Sequence, residues 1–124
     1  GSEMCIRDSY RLVDYDLLTG REQDQRCVAR VAVSENTLTI DGEGSGPIEA
    51  FVTALGETLN EPVTILSYQE VAIGTGSDAQ AICIVSIEDH EEGQRCYGIG
   101  LSRNTTTTAL NAIISAMNRR WTSS

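Results

Sequence analysis

Residue types that commonly do chemistry are sparse in this chain. Its single histidine, His90, stands in Asp89-His90-Glu91-Glu92-Gly93, where an imidazole beside carboxylates could ligate a metal or act as a general base. Carboxylates adjacent on a turn splay outward, however, and a hard-metal site needs oxygens that converge. The run reads better as an exposed hairpin tip. No second histidine is available to activate a serine or cysteine, and every basic residue is an arginine, so no lysine can form a Schiff base. Cys5, Cys27, Cys83 and Cys96 show no CxxC and no Cys/His metal spacing. The last three fall in strand-like runs, where a thiol behaves as a small buried hydrophobe. Two features remain that could hold a ligand. Gly42-Glu43-Gly44-Ser45-Gly46-Pro47 precedes a helix, and free N–H groups at a helix N-terminus attract a carboxylate or a phosphate. It fits neither GxxxxGK[ST] nor a strand-linked GxGxxG, and on pattern alone a tight turn with a helix cap explains it better. The hydroxyls of Thr105 to Thr108 either cap a first helical turn or line a pocket. No catalytic residue, metal site or cofactor is expected.

Composition sets the class of molecule that must position these groups. At 124 residues the chain is the size of one domain, with 40% hydrophobic and 22% charged residues, as in an ordinary water-soluble fold. Aromatics are only 5%, so the core has to come from Val, Ile, Leu and Ala. A net charge of -9 with no basic cluster argues against nucleic acid. No apolar run approaches the ~20 residues that cross a bilayer, so no membrane partner is expected. Without a disulfide framework, a reducing cytoplasm is the expected compartment.

Gly1-Ser2 resembles a cloning scar, and residues 1–9 fit no structural pattern; they are expected to be a disordered leader. From Tyr10 the chain reads as three strands and a helix, twice over. Arg11–Thr19 is a strand, followed by a polar turn. Cys27, Ala29, Val31 and Val33 then share one face at period two, with Arg26 and Arg30 opposite. A Ser-Glu-Asn turn leads to Thr37–Asp41, with Leu38 and Ile40 inward. Pro47 suits the first helical position, and Ile48, Phe51, Val52, Leu55 and Leu59 form an apolar stripe behind it. Asn60 and Pro62 end that helix. The second half offers strands at Val63–Ile73, Ala79–Glu88 and Arg95–Leu101, with Ala81, Cys83, Val85 and Ile87 on one face. A helix begun by Asn104 and the threonines carries Leu110, Ile113, Ile114, Met117 and Trp121. Gly42/Gly44 before the first helix are echoed by Gly98/Gly100 before the second. The fold expected is α+β, a duplicated β-β-β-α unit whose helices cover sheet faces. Pattern leaves open whether the halves share one sheet or form two.

Several words of the sequence together resemble one family. They are Gly44-Ser45-Gly46-Pro47-Ile48-Glu49-Ala50-Phe51, Tyr68 with Glu70, Gly76-Ser77-Asp78-Ala79-Gln80-Ala81, Gly98-Ile99-Gly100, and the closing Thr-Thr-Ala-Leu-Asn-Ala-Ile-Ile-Ser-Ala-Met-Asn-Arg. Their order and spacing are similar to the C-terminal regulatory domain of 2-isopropylmalate synthases, transferases of leucine biosynthesis. The resemblance covers residues 10 to about 121. It implies pseudo-twofold symmetry between units of about 10–61 and 62–121 within a single regulatory domain, 10–124. It also implies a homodimer, L-leucine as a feedback-inhibiting effector, and a separate catalytic (β/α)8 barrel. Such a barrel needs about 250 residues, so this chain alone is not expected to catalyse acyl transfer. Carried over by position, the effector-binding residues implied are Gly44, Ser45, Gly46, Pro47 and Ile48 at the first helix. Ile65, Tyr68 and Ala72 follow on the fourth strand, then Ala79, Ala81 and Thr105. Ile48 and Ile65 would wall an isobutyl group, while Ala72 and Ala81 leave room for it. An isoleucine-sensing domain of a citramalate synthase and a ligand-free dimerisation module remain open beside this reading.

Overall fold

In the computed structural model the residues described are 10–19, 21, 24–59, 63–74, 76, 79–88 and 95–122, with side chains to 119. The leader, His90 with its acidic run, and Trp121's place in the helix stripe therefore lie outside the described residues. Eight elements follow in order: β1 (Tyr10–Thr19), β2 (Gln25–Val33), β3 (Asn36–Gly44), α1 (Pro47–Thr58), β4 (Ile65–Ile73), β5 (Gln80–Glu88), β6 (Arg95–Ser102) and α2 (Thr105–Thr122). The strands form two separate three-stranded sheets, ordered β1-β2-β3 and β4-β5-β6. Backbone contacts cluster into a first unit, Arg11–Thr64, and a second that runs from Ile65 onward and takes in Tyr10. The β-β-β-α unit occurs twice, and the question of one sheet or two resolves to two. Among the described residues no helix is long and apolar enough to cross a membrane.

In the first unit β2 and β3 pair antiparallel around a two-residue turn, Ser34-Glu35, with Ser34 at φ 58°. Asn36 thus begins β3 instead of closing the turn. The inner face carries Cys27, Ala29, Val31 and Ile40, all buried, and α1 packs on it over β3 and β2. Leu38 shares that parity opposite Val31 but is exposed. The helix buries Ala50, Phe51, Ala54 and Leu55, whereas Ile48, Val52 and Leu59 are only half-buried. The stripe is therefore rotated from the one that the large residues alone suggest. The cause lies in the strand: a Cβ on Gly44 would come within 2.7 Å of the Ala50 amide nitrogen, and one on Gly42 would run into the backbone at Ala54. Helix backbone rests on strand backbone here, so the helix must turn its alanines inward. Phe51, Leu55 and Ile40 fill the flanks, each fully buried and contributing about 1.5–3 kcal/mol of apolar burial.

The second unit repeats the device. Gly98 and Gly100 of β6 face the α2 backbone at Thr108, Ala112 and Ala116, and a Cβ on either would overlap it. Leu110, Ile113, Ile114 and Met117 are buried beside the alanines, as the stripe predicts. Asn104 caps α2 by accepting a hydrogen bond from the Thr107 N–H at 3.0 Å. The buried Thr108 hydroxyl lies 2.9 Å from the Asn104 carbonyl, 3.3 Å from that of Ser102 and 3.4 Å from that of Ala81. At the other end of the unit Asn118 accepts from the Tyr10 N–H at 2.8 Å and donates to its carbonyl at 2.9 Å. Cys27, Cys83 and Cys96 are buried thiols. Burial, with the Asp41 charge behind it, pushes the Cys27 thiol up to about 11, which keeps it protonated and unreactive at neutral pH.

Candidate functional site

The first-unit candidates sit at the junction of β3 and α1. Gly44 belongs to the strand, paired with Gln25, and Gly42 is likewise paired with Cys27. The glycine-rich run is thus ladder as far as Gly44. This corrects the reading of the whole run as a tight turn before the helix, because the Gly-x-Gly spacing serves helix packing. Ser45 is exposed, Gly46 is the N-cap in extended backbone without a side-chain cap, and Pro47 is at the helix start. Ile48 is half-buried. Glu49, in the first turn, reaches back and accepts the Ser45 N–H at 2.9 Å. The α1 N-terminus already holds a carboxylate from its own chain, a variant of the capping box. Sequence reading passed over this role, although an acidic residue three positions after a Gly-Pro helix start is its usual signal.

The second-unit candidates come together on one face. In an antiparallel ladder directly opposed residues share a face, and Tyr68 opposes Val85 while Ala72 opposes Ala81. By simple alternation Ile65 would point away from Tyr68. A bulge between Ile65 and Ser67 restores it, placing Ile65 opposite Ile87 on the inner face. α2 covers β5 and β6, and β4 stays almost wholly exposed. Ile65, Tyr68 and Ala72 therefore form a strip beside α2, bordered by buried Ala81. Ala79 stands just before β5, and its N–H donates to the Gly76 carbonyl at 3.3 Å. Thr105 is the exposed first residue of α2, one turn ahead of the Thr108 that bonds Ala81.

The polar group of this strip is Tyr68. Its hydroxyl donates to Glu70 Oε2 at 3.3 Å, and burial together with Cys83 and Glu70 pushes it up to about 12. Burial likewise raises the Cys83 thiol. Both groups are neutral at physiological pH, so the strip offers an apolar wall with one hydroxyl and one carboxylate. A separate open recess of about 680 Å³ in the first unit is lined by Thr19, Arg21, Arg26, Asp41 and Glu43. Within it Arg26 and Asp41 pair, Arg26 Nε donating to Asp41 at 2.9 Å, and the backbone N–H of Arg21 donates to Glu43 at 3.2 Å. None of its residues was a sequence candidate.

Comparison with known proteins bears on the whole chain. It is 34% identical over 111 residues to 2-isopropylmalate synthase of Brucella suis biovar 1, a match covering 88% of this chain and 20% of the relative. With the enzyme of the same name from Clostridium acetobutylicum it shares 32% over 118 residues, 91% of this chain and 21% of the other. With that of Mycobacterium ulcerans it shares 41% over 91 residues, 73% and 16%. The chain thus spans about a fifth of the length of these relatives. Residues 3–121 match the model of a domain described as the LeuA allosteric (dimerisation) domain. With the match running through both β-β-β-α units, the chain belongs to the LeuA allosteric (dimerisation) domain family.

Proposed function

We propose that this chain is the regulatory domain of a 2-isopropylmalate synthase, that it binds L-leucine as feedback inhibitor, and that it self-associates as a homodimer in the cytoplasm. The observation that carries this reading is the match over residues 3–121 to a domain family described as allosteric and dimerising. The chain itself performs no acyl transfer; that chemistry belongs to a catalytic barrel elsewhere in the enzyme, and the domain needs no cofactor. The effector contacts proposed are Gly44 to Ile48 in the first unit and Ile65, Tyr68, Ala72, Ala79, Ala81 and Thr105 in the second. Taken each within its own unit, the β4 strip offers an apolar wall to an aliphatic side chain, and the α1 N-terminus is a place for a carboxylate. The Glu49 contact with Ser45 favours a second reading, in which this helix start is purely structural.

Isothermal calorimetry with leucine, isoleucine and valine decides among these. Leucine binds most tightly on the sensor reading, and isoleucine on that of a citramalate synthase domain; no heat with any of them leaves the dimerisation module. Ile48→Ala is expected to weaken leucine by roughly 1–3 kcal/mol, the value of one buried aliphatic contact. Glu49→Ala, by vacating the helix start, is expected to tighten it severalfold. Unchanged affinity in both folded variants would remove the α1 start from the site.

A further inference from the structure

The two units differ most on the faces turned away from their helices. In the first sheet that face carries Arg26 and Arg30, each bound to an aspartate of a neighbouring strand, Asp41 and Asp14. In the second sheet the same side carries Val71 of β4, Ile82 and Ile84 of β5, and Tyr97, Ile99 and Leu101 of β6, brought into register by strand pairing. Ile99 and Leu101 are each 54% exposed. Charge enters only at one end, where Glu88 opposes Arg95. There the buried Ser86 hydroxyl bonds Ser67 at 2.6 Å and accepts from Arg95 at 3.4 Å, closing that end.

From this contrast we infer that the outer face of β4-β5-β6 is the surface on which a second copy of this chain docks, face to face across a twofold axis. The inference rests on the self-association proposed above and names its surface. Two copies that each carry a net charge of -9 repel, and they can approach closely only where neither presents charge. The centre of this face meets that condition, and the first sheet's outer face does not. A twofold axis sets the face against itself, so the Arg95 end of one copy can meet Glu88 of the other without like charges opposed. Three strands ~4.8 Å apart and ~3.3 Å per residue give a flat footprint of roughly 400 Å² per copy. Doubled to roughly 800 Å², this lies below the ~1,200–2,000 Å² of stable interfaces and in the range of weak, transient ones, so the dimer is expected to dissociate on dilution. Other occupants, including further parts of a longer protein, are separated by the test.

Sedimentation velocity on the 124-residue chain over a range of concentrations is expected to show a monomer–dimer equilibrium. Ile99→Glu and Leu101→Glu each place two carboxylates near the axis and should raise the dimer Kd roughly a hundredfold or more. Thr39→Glu, on the first sheet's outer face, should leave it unchanged. A wild-type monomer at every concentration overturns both the proposal and the homodimer. A dimer that persists in the folded Glu variants overturns the surface alone. Should those variants lose their circular dichroism signature, carbene footprinting of the wild-type chain gives the answer. Labelling of Tyr97, Ile99 and Leu101 then falls as the dimer forms, and protection of β1–β3 in their place overturns the assignment.

Discussion

Gly98 and Gly56 are the same residue type with opposite structural meanings. A methyl group at Gly98 would overlap the α2 backbone, and backbone cannot rotate aside as a side chain can. Gly98→Ala is expected to cost about 3 kcal/mol or more. At Gly56, inside α1, nothing lies within 4 Å of the added carbon. Gly56→Ala should therefore stabilise the fold by about 0.5–1 kcal/mol through helix propensity. Urea denaturation of both variants checks the pair, and equal shifts of the same sign would contradict the packing account. The glycine pairs could be seen in the sequence as an echo, but their purpose could not. A glycine before a helix reads as a turn or an anion cradle, and only the position of the helix shows it to be a gap. Ala50, Ala54, Ala112 and Ala116 were hidden for a related reason: alanine contributes little to a hydrophobic pattern, yet these four are fully buried.

Elements were more legible than residues. Strand-like runs matched five of the six strands to within two residues at each end, and on β2 and β5 the alternation is clear because a helix covers one face. β3 was cut short at Asp41, since Gly42-Glu43-Gly44 has neither apolar character nor β-propensity, and pairing with β2 carries the strand on. The bulge in β4 left no mark in the sequence, although it decides which side Ile65 takes. Of the candidate contacts, those on β4 and β5 could be grouped by resemblance alone. Strand-to-strand ion pairs also belong to this scale. Hydrogen bonds from Arg30 and Arg26 hold Asp14 and Asp41 below the ordinary carboxyl value of 3.8. A depressed carboxyl favours the folded state above its unfolded value and loses that contribution as pH falls through its folded value. Stability should therefore be insensitive to these pairs above about pH 4 and decline below it. Asp14→Asn and Asp41→Asn, followed by urea midpoint against pH, should flatten that acid limb; an unaltered limb would mean the exposed pairs contribute nothing.

For the whole molecule, charge is the property that sequence discloses most directly. At -9 per copy, self-association through an uncharged face works against long-range repulsion, which salt screens over about 10 Å at 0.1 M. Added sodium chloride is expected to tighten the dimer severalfold in sedimentation equilibrium. Weakening by salt would show an interface held by opposite charges, as on the first sheet. The duplication was legible from element order and helix spacing, whereas the split into two sheets was not, because strand pairing between distant segments leaves no local signature. The glycine pairs also govern what each unit is able to do mechanically. Gly100 meets the helix at Thr108 and Ala112, and Gly98 meets it at Ala112 and Ala116. A slide of α2 along its sheet would have to advance by a whole turn, ~5.4 Å, to find small residues again. A slide of one turn in one direction would set Asn104, the cap residue of α2, against Gly100 in place of Thr108. Helix and sheet are keyed together like a shaft in a slot, so a push on either end of α2 is expected to carry its three strands with it.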